Sequence, residues 1–353
     1  MITTTVKCPK CDNTVTISGN PGEKIILTCS KCKTQGAFIY PGEKPSVQEL
    51  SQSFAIAVDN LTKCYNGFKA VDNVSFKVRR GEIFGFLGPN GAGKTTTITA
   101  MLGLIRFQSG RVTINGLDMK KRSKEAKKFV GYLPEKVAFY DNLTAVQNLR
   151  FHAAMRHASK GQCPALIETF GLADSANKKV GKFSKGMIQR LGMARAVLGN
   201  PPIFIFDEPS VGLDPRGVVL IRDKILELKN TGATVFISSH ILSEVQAVCD
   251  RVGIINKGVV VAEDTVPELR KKLNLKPKIT LELETLSDKI VDAVKNIDGV
   301  DTVERTEKTL EVVCDSKTKA KVIVAITQVG GNIVNLQTVE PSLEEVFMRY
   351  TED

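Results

Sequence analysis

No apolar run in the 353 residues approaches the roughly 18 needed for a helix to span a bilayer, which argues against a membrane-spanning helix. The N-terminus lacks the apolar core of a secretory signal peptide, so the chain is expected to stay in the cytosol. Long heptad repeats are missing as well. What is left is an ordinary globular composition, 42% hydrophobic and 25% charged, with room for two or three domains. A formal net charge of +11 favours anionic partners: nucleotide, nucleic acid or an acidic membrane surface. Charge alone does not choose among them.

The stretch Gly88-Pro89-Asn90-Gly91-Ala92-Gly93-Lys94-Thr95, followed by Thr96, is a complete P-loop. The apolar run Glu82 to Leu87 suits a buried parallel strand, and Thr95 to Leu104 is compatible with a helix. The motif therefore sits between the elements it requires. Its glycines let successive backbone N–H groups turn inward toward an anion, and the helix N-terminus adds partial positive charge. Lys94 is then placed to reach the β- and γ-phosphates, and the Thr95 hydroxyl to ligate Mg²⁺.

Of eight cysteines, Cys64, Cys163, Cys249 and Cys314 are scattered singly. Cys8-Pro9-Lys10-Cys11 and Cys29-Ser30-Lys31-Cys32 instead form two C-x-x-C pairs with seventeen residues between them, the spacing of a four-thiolate zinc site. Thr14 to Ser18 and Lys24 to Thr28, flanking Gly19-Asn20-Pro21-Gly22, read as a β-hairpin, so residues 1–40 resemble a zinc ribbon whose metal supplies the missing core. Two disulfides or a redox site are the competing readings. Residues 41–53 have linker composition.

Strands are expected at Phe54 to Val58 and Val74 to Val78, with Tyr65 between them. Ser184 is expected to cap a helix carrying Ile188, Leu191, Ala194 and Leu198 on one face. Ile203-Phe204-Ile205-Phe206 is a buried strand that delivers Asp207 and Glu208 at its C-terminal edge. Asp207 is read as holding Mg²⁺ through its water shell and Glu208 as the base that activates the attacking water. The strand Thr234 to Ile237 leads into Ser238-Ser239-His240 at the same edge.

In order, the P-loop, Ser184-Lys185-Gly186-Met187, Asp207-Glu208, Leu213-Asp214 and His240 resemble the nucleotide-binding subunit of an ABC transporter, over roughly Phe54 to Glu263. The resemblance implies that Tyr65 stacks on adenine and that Ser184 and Gly186 meet the γ-phosphate of ATP held by a second subunit. It implies that Asp214 links the two sites of a head-to-tail dimer, that His240 contacts the γ-phosphate, and that a separate integral membrane permease is driven. It places the protein on the inner face of the cell membrane. Lys185, where a second glycine is usual, and Glu135, where a glutamine is usual, resemble the branch for drug, lipid and polysaccharide efflux. Glu135 is expected to offer Mg²⁺ an oxygen. The segment 136–185 corresponds to the helical subdomain, opened by Thr144 as N-cap. The alternative is a soluble ATPase acting on ribosomes or nucleic acid through the ribbon; with one motif set and no heptads, nucleic acid is not the expected partner.

From Lys278 the pattern becomes β-α-β-β-α-β, suggesting a ferredoxin-like appendage over 278–353. The ending Pro341 to Phe347 resembles the C-terminal appendage of exporter ATPases. The expected fold is thus an α/β P-loop ABC ATPase domain (54–265) with antiparallel β and helical subdomains, a small β zinc ribbon before it and an α+β appendage after it. ATP, Mg²⁺ and structural Zn²⁺ are the expected ligands. The basic run Lys120 to Lys128 reads as a solvated helix face or a site for anionic lipid.

Overall fold

The computed structural model describes residues 2–8, 10–11, 13–19, 24–39 and 54–352. The chain divides into two compact units, Met1–Gln52 and Ser53–Asp353. The linker read over 41–53 and the turn residues Asn20, Pro21 and Gly22 lie outside the described residues.

In the first unit, β1 (Ile2–Lys7) pairs antiparallel with β2 (Thr14–Gly19), and β3 (Lys24–Thr28) with β4 (Gln35–Ile39). This corrects the expected hairpin. The segments Thr14 to Ser18 and Lys24 to Thr28 are strands, but among the described residues each pairs across its own C-x-x-C turn rather than with the other. The cause is local. Each cysteine knuckle closes on itself through backbone bonds, Cys8 N–H to Asn13 O at 2.8 Å and Cys29 N–H to Thr34 O at 2.9 Å, and so folds its flanking strands together.

The second unit is layered. One layer is an antiparallel sheet made of β5 (Phe54–Tyr65), β6 (Phe68–Arg79), β8 (Ser109–Ile114) and β9 (Leu117–Asp118). β5 and β6 are longer than the expected strands and form one hairpin closed at Asn66-Gly67, whose left-handed backbone suits a tight turn. Asn60 and Asn73 also adopt positive φ, which shifts the register and breaks the alternation that would have advertised the full strands.

The second layer is a six-stranded sheet built around β7 (Ile83–Leu87), every residue of which is buried. Its other strands are β10 (Val130–Leu133), β11 (Ile203–Asp207), β12 (Thr234–Ser239), β13 (Arg251–Asn256) and β14 (Val259–Asp264), in the order β10-β11-β12-β7-β13-β14. The first five run parallel and β14 antiparallel. Four phenylalanines join the two layers: Phe76 meets Phe84, Phe86 and Phe236, with ring centroids between 5.2 and 5.7 Å apart. Rings of this size dominate core burial. β7 is followed by α1 (Lys94–Met101), and the basic run contains α2 (Ser123–Lys128).

A helical segment follows, with α3 (Ala145–Met155), α4 (Gln162–Thr169) and α5 (Lys185–Val197). Thr144 caps α3 in a capping box with Gln147, which satisfies two otherwise orphaned N–H groups. Leu149, Ala153, Ile167 and Phe170 share a core with Leu191, Phe204 and Phe206, so this segment is fixed to β11 through α5. α6 (Pro215–Asn230), α7 (Leu242–Val248) and α8 (Val266–Lys272) complete the central part.

The C-terminal part is a second antiparallel sheet, β16-β17-β15-β18, with β15 (Lys278–Leu283), β16 (Val300–Arg305), β17 (Thr309–Cys314) and β18 (Ile333–Val339). Helices α9 (Asp288–Lys295) and α10 (Lys319–Gln328) close its core over Ile279, Leu281 and Leu310. The last helix, α11 (Leu343–Thr351), packs elsewhere: Leu343 and Val346 are buried with Leu87, Val245, Val252 and Ile254 of the central part. Among the described residues, no helix is long and apolar enough to cross a membrane.

Candidate functional site

The P-loop leaves the C-terminal end of β7 and turns into α1 at Gly93, whose φ of 106° belongs to the left-handed region. A Cβ there would lie 2.6 Å from the Ala70 carbonyl oxygen, so the position needs glycine for space as well as conformation. Lys94 Nζ donates to Gly88 O at 2.7 Å and lies 3.5 Å from Glu208 Oε1. Both side chains are more than 90% buried. Lys94 is thus a buried cation beside a backbone cradle at a helix N-terminus, the two features that attract a phosphate anion, and Glu208 is the carboxylate that occupies its charge meanwhile.

β11 and β12 bring the remaining groups to the same rim. Asp207 is paired in register with Ser238, and Ser238 with Phe86 of β7. Asp207 is fully buried. Ser238 Oγ donates to its Oδ1 at 2.5 Å, while Oδ2 is buried with no hydrogen-bond partner. Burial pushes the Asp207 carboxyl up, against the opposing pull of Ser238 and the Thr95 hydroxyl; the charges of Glu208 and Glu135 push the same way as burial. An orphaned carboxylate oxygen beside a threonine hydroxyl is the hard-oxygen donor set that Mg²⁺ takes, and a divalent cation would reverse the penalty. The residues present therefore fit that ion.

Glu208 has a left-handed backbone, φ 51°, uncommon for a non-glycine residue, and its N–H is held by Ser238 Oγ at 3.0 Å and Ser238 O at 3.2 Å. Its Oε2 meets His240 Nδ1 at 2.8 Å. Gln189 of α5 donates to Pro209 O at 3.0 Å and so ties α5 to the loop after the acids.

These groups line a cleft of about 440 Å³ whose walls include Asn90, Gly91, Gly93, Lys94, Thr95, Thr96, Glu135, Glu208 and His240, with Ala70 and Val211. Asp207, the neighbour of the lining residue Glu208, is fully buried and is not itself among the lining residues. Tyr65, Ser184, Gly186 and Asp214 are not among the lining residues. Tyr65 lies at the β5–β6 turn, 46% exposed, with Lys63 Nζ 4.4 Å from its ring centre. Ser184 caps α5, accepting from Met187 N at 3.3 Å, and Asp214 caps α6, accepting from Gly217 N at 3.2 Å. The stem of Lys185 lies over Gly212, where a Cβ would meet it at 2.7 Å. Sequence reasoning missed Ser238, Gln189 and Ala70 as parts of the site. For Ser238 a signal existed: a hydroxyl ending an otherwise apolar buried strand needs a partner.

In the first unit, the ligand sulfurs of Cys8, Cys11, Cys29 and Cys32 all lie within 4.8 Å of one another. Cys8 and Cys32 Sγ are 3.5 Å apart, as are Cys11 and Cys29. That is well beyond the roughly 2.05 Å of a disulfide. It is close to the edge, about 3.8 Å, of a tetrahedron with Zn–S bonds of roughly 2.3 Å. Hydrogen bonds from the backbone N–H groups of Cys32 and Lys31 bring the Cys29 thiol down, while Cys11, against a hydrogen bond from the Asn13 backbone, is pushed up by desolvation and the neighbouring thiols, so the cluster favours some of its sulfurs as thiolates and not others.

Comparison with known proteins agrees with the central geometry. Residues 71–211 match the ABC transporter family model, and residues 265–351 match the C-terminal domain of DrrA1-3-like ATP-binding proteins. The linearmycin resistance ATP-binding protein LnrL of Bacillus subtilis (strain 168) is 34% identical, over 84% of this chain and 98% of its own length. The chain belongs to the ABC transporter ATP-binding proteins. The bacitracin transport ATP-binding protein BcrA of Bacillus licheniformis is 38% identical over 84% of this chain and 97% of its own. Among solved structures, an ATP-binding subunit of an ABC transporter superposes with a TM-score of 0.59 at 32% identity, covering 62% of this chain and 93% of that one. As an ABC ATP-binding subunit, the protein binds and hydrolyses ATP to power a separate permease. Such subunits use Mg²⁺ and pair with a membrane permease.

Proposed function

We propose that this subunit drives export of an antibiotic-like compound, with ATP held in the Lys94 cleft and hydrolysed there. Support for export comes from relatives matched over nearly their whole length and named for linearmycin resistance, bacitracin transport and daunorubicin resistance. Support for the chemistry comes from one observation above all: Lys94, Asp207, Glu208 and His240 converge on one rim, with one Asp207 oxygen left unpartnered. Lys94 gives up its contacts with Gly88 O and Glu208 to the β- and γ-phosphates. Thr95, Asp207 and Glu135 would hold Mg²⁺, which would supply charge neutralisation of the phosphates. Glu208 takes the proton of the attacking water, and His240, bridged to it, secures the γ-phosphate.

Ser184 and Gly186 lie off this cleft, which suits a role toward the nucleotide of a second copy or a paired ATPase subunit, with Asp214 between the sites and Tyr65 on adenine. Residues 54–265 act as the ATPase domain and 278–353 as the appendage, whose strand order and two helices over 278–339 support a ferredoxin-like sandwich and whose last helix, α11, packs on the central part. Residues 1–40 act as a zinc ribbon, one structural Zn²⁺ on four thiolates. The working place is the inner face of the cell membrane, beside an integral permease.

The test is purification of the tagged chain from detergent-solubilised cells. An integral membrane protein is expected to copurify, and loss of the chain to sensitise the cell to an antibiotic. Recovery with ribosomes or nucleic acid instead, without a membrane partner, would contradict the export assignment. Metal analysis is expected to find one zinc per chain; none, with four titratable thiols, would remove the ribbon's metal.

A further inference from the structure

We infer that Ser238 is a positioning residue for the hydrolytic site, dividing the labour of Asp207 and Glu208 through one hydroxyl. The inference rests on the roles proposed for those two acids. Ser238 lies on β12, the strand between the P-loop strand and the strand that carries both carboxylates, and it faces Asp207 across the sheet in register. It is fully buried. A serine hydroxyl has one proton to donate and lone pairs to accept with. Here the proton goes to Asp207 Oδ1 at 2.5 Å, and a lone pair receives the Glu208 N–H at 3.0 Å.

Two consequences follow from that one group. Clamping Oδ1 fixes the rotation of the Asp207 carboxylate, so that the oxygen left without a partner is Oδ2. A metal arriving at the site meets an oxygen already aimed and already desolvated. Holding the Glu208 N–H steadies a backbone at φ 51°, a conformation that non-glycine residues adopt at a cost and keep only where neighbours enforce it. That conformation turns the Glu208 side chain toward Lys94 and His240, its two contacts in the cleft. Outer-shell partners of this kind orient ligating carboxylates, and their loss typically lowers metal affinity or activity about 10–100-fold.

The test compares wild type with Ser238→Ala, Ser238→Thr and Asp207→Asn in the full chain. Mn²⁺ binding is followed by electron paramagnetic resonance in the presence of a non-hydrolysable ATP analogue, alongside nucleotide affinity without metal and the melting temperature. Ser238→Ala is expected to weaken Mn²⁺ about 10–100-fold, leave metal-free nucleotide affinity unchanged, and raise the Mg²⁺ concentration for half-maximal hydrolysis by a similar factor. Ser238→Thr, which keeps the hydroxyl, recovers most of that affinity. A purely structural serine would lower the melting temperature and leave the metal midpoint in place. Unchanged Mn²⁺ affinity in Ser238→Ala, with affinity lost in Asp207→Asn, would overturn the inference and leave the site assignment standing. Unchanged affinity in both variants would overturn the assignment of Asp207 and the inference with it.

Discussion

The cysteine unit and the phosphate cleft both gather ion-binding groups, but from different distances. In the first, four thiols come from two short turns, and β1 to β4 are two hairpins with little apolar burial among the described side chains. In the second, Lys94, Asp207, Glu208 and His240 arrive from the ends of β7, β11 and β12, held by a core that includes Phe76, Phe84 and Phe236. With zinc bound as proposed, the four thiols of the first unit would stand in for a core, whereas the groups of the second depend on one. Removing ligands should therefore unfold the one unit and merely disarm the other.

The sharpest break in that contrast is chelation of the proposed zinc or Cys29→Ser. Structural zinc contributes about 10–16 kcal/mol of apparent binding energy to small domains, so the first unit is expected to lose its fold. ATP binding by the second unit is expected to persist. Proteolysis of residues 1–52 with residues 54–352 left intact would register this, and joint loss of both would refute the division. Next in size is Leu343→Ala, which leaves a hole where α11 meets Leu87 and Val252. A loss of about 2–5 kcal/mol in denaturant unfolding of the second unit is expected. No loss would mean that α11 rests on the central part without holding it. Smallest is Glu135→Gln, which removes one of the negative charges that raise the Asp207 carboxyl. A few-fold change in the Mg²⁺ concentration for half-maximal hydrolysis is expected, since Glu135 is exposed and solvent screens its charge to roughly 0–1 kcal/mol. An unchanged midpoint would remove Glu135 from the metal's surroundings.

How far each region could be read from sequence follows the same divide. The P-loop, the acids after β11 and the cysteine spacing are local patterns, and local geometry follows from them directly. The hairpins of the first unit were misassigned because strand pairing is a choice between partners, decided here by knuckle turns that close on themselves. β5 and β6 looked short because left-handed residues at Asn60 and Asn73 interrupt the alternation. The sequence marks Ser238 as a hydroxyl in need of a partner but does not name Asp207 as that partner, and Gln189 carries no local signal at all, because Asp207 and Pro209 lie on other elements. α11 follows the appendage in sequence but is buried against the central part, a long-range packing decision that periodicity does not encode.

The most direct measurement is ATP binding and single-turnover hydrolysis by Glu208→Gln beside Lys94→Ala. With Glu208 as the base, Glu208→Gln binds ATP as tightly as wild type and turns over about 10²–10⁴-fold more slowly. Lys94→Ala, which leaves buried phosphate charge without its cation, binds weakly. Wild-type turnover in Glu208→Gln would contradict the account.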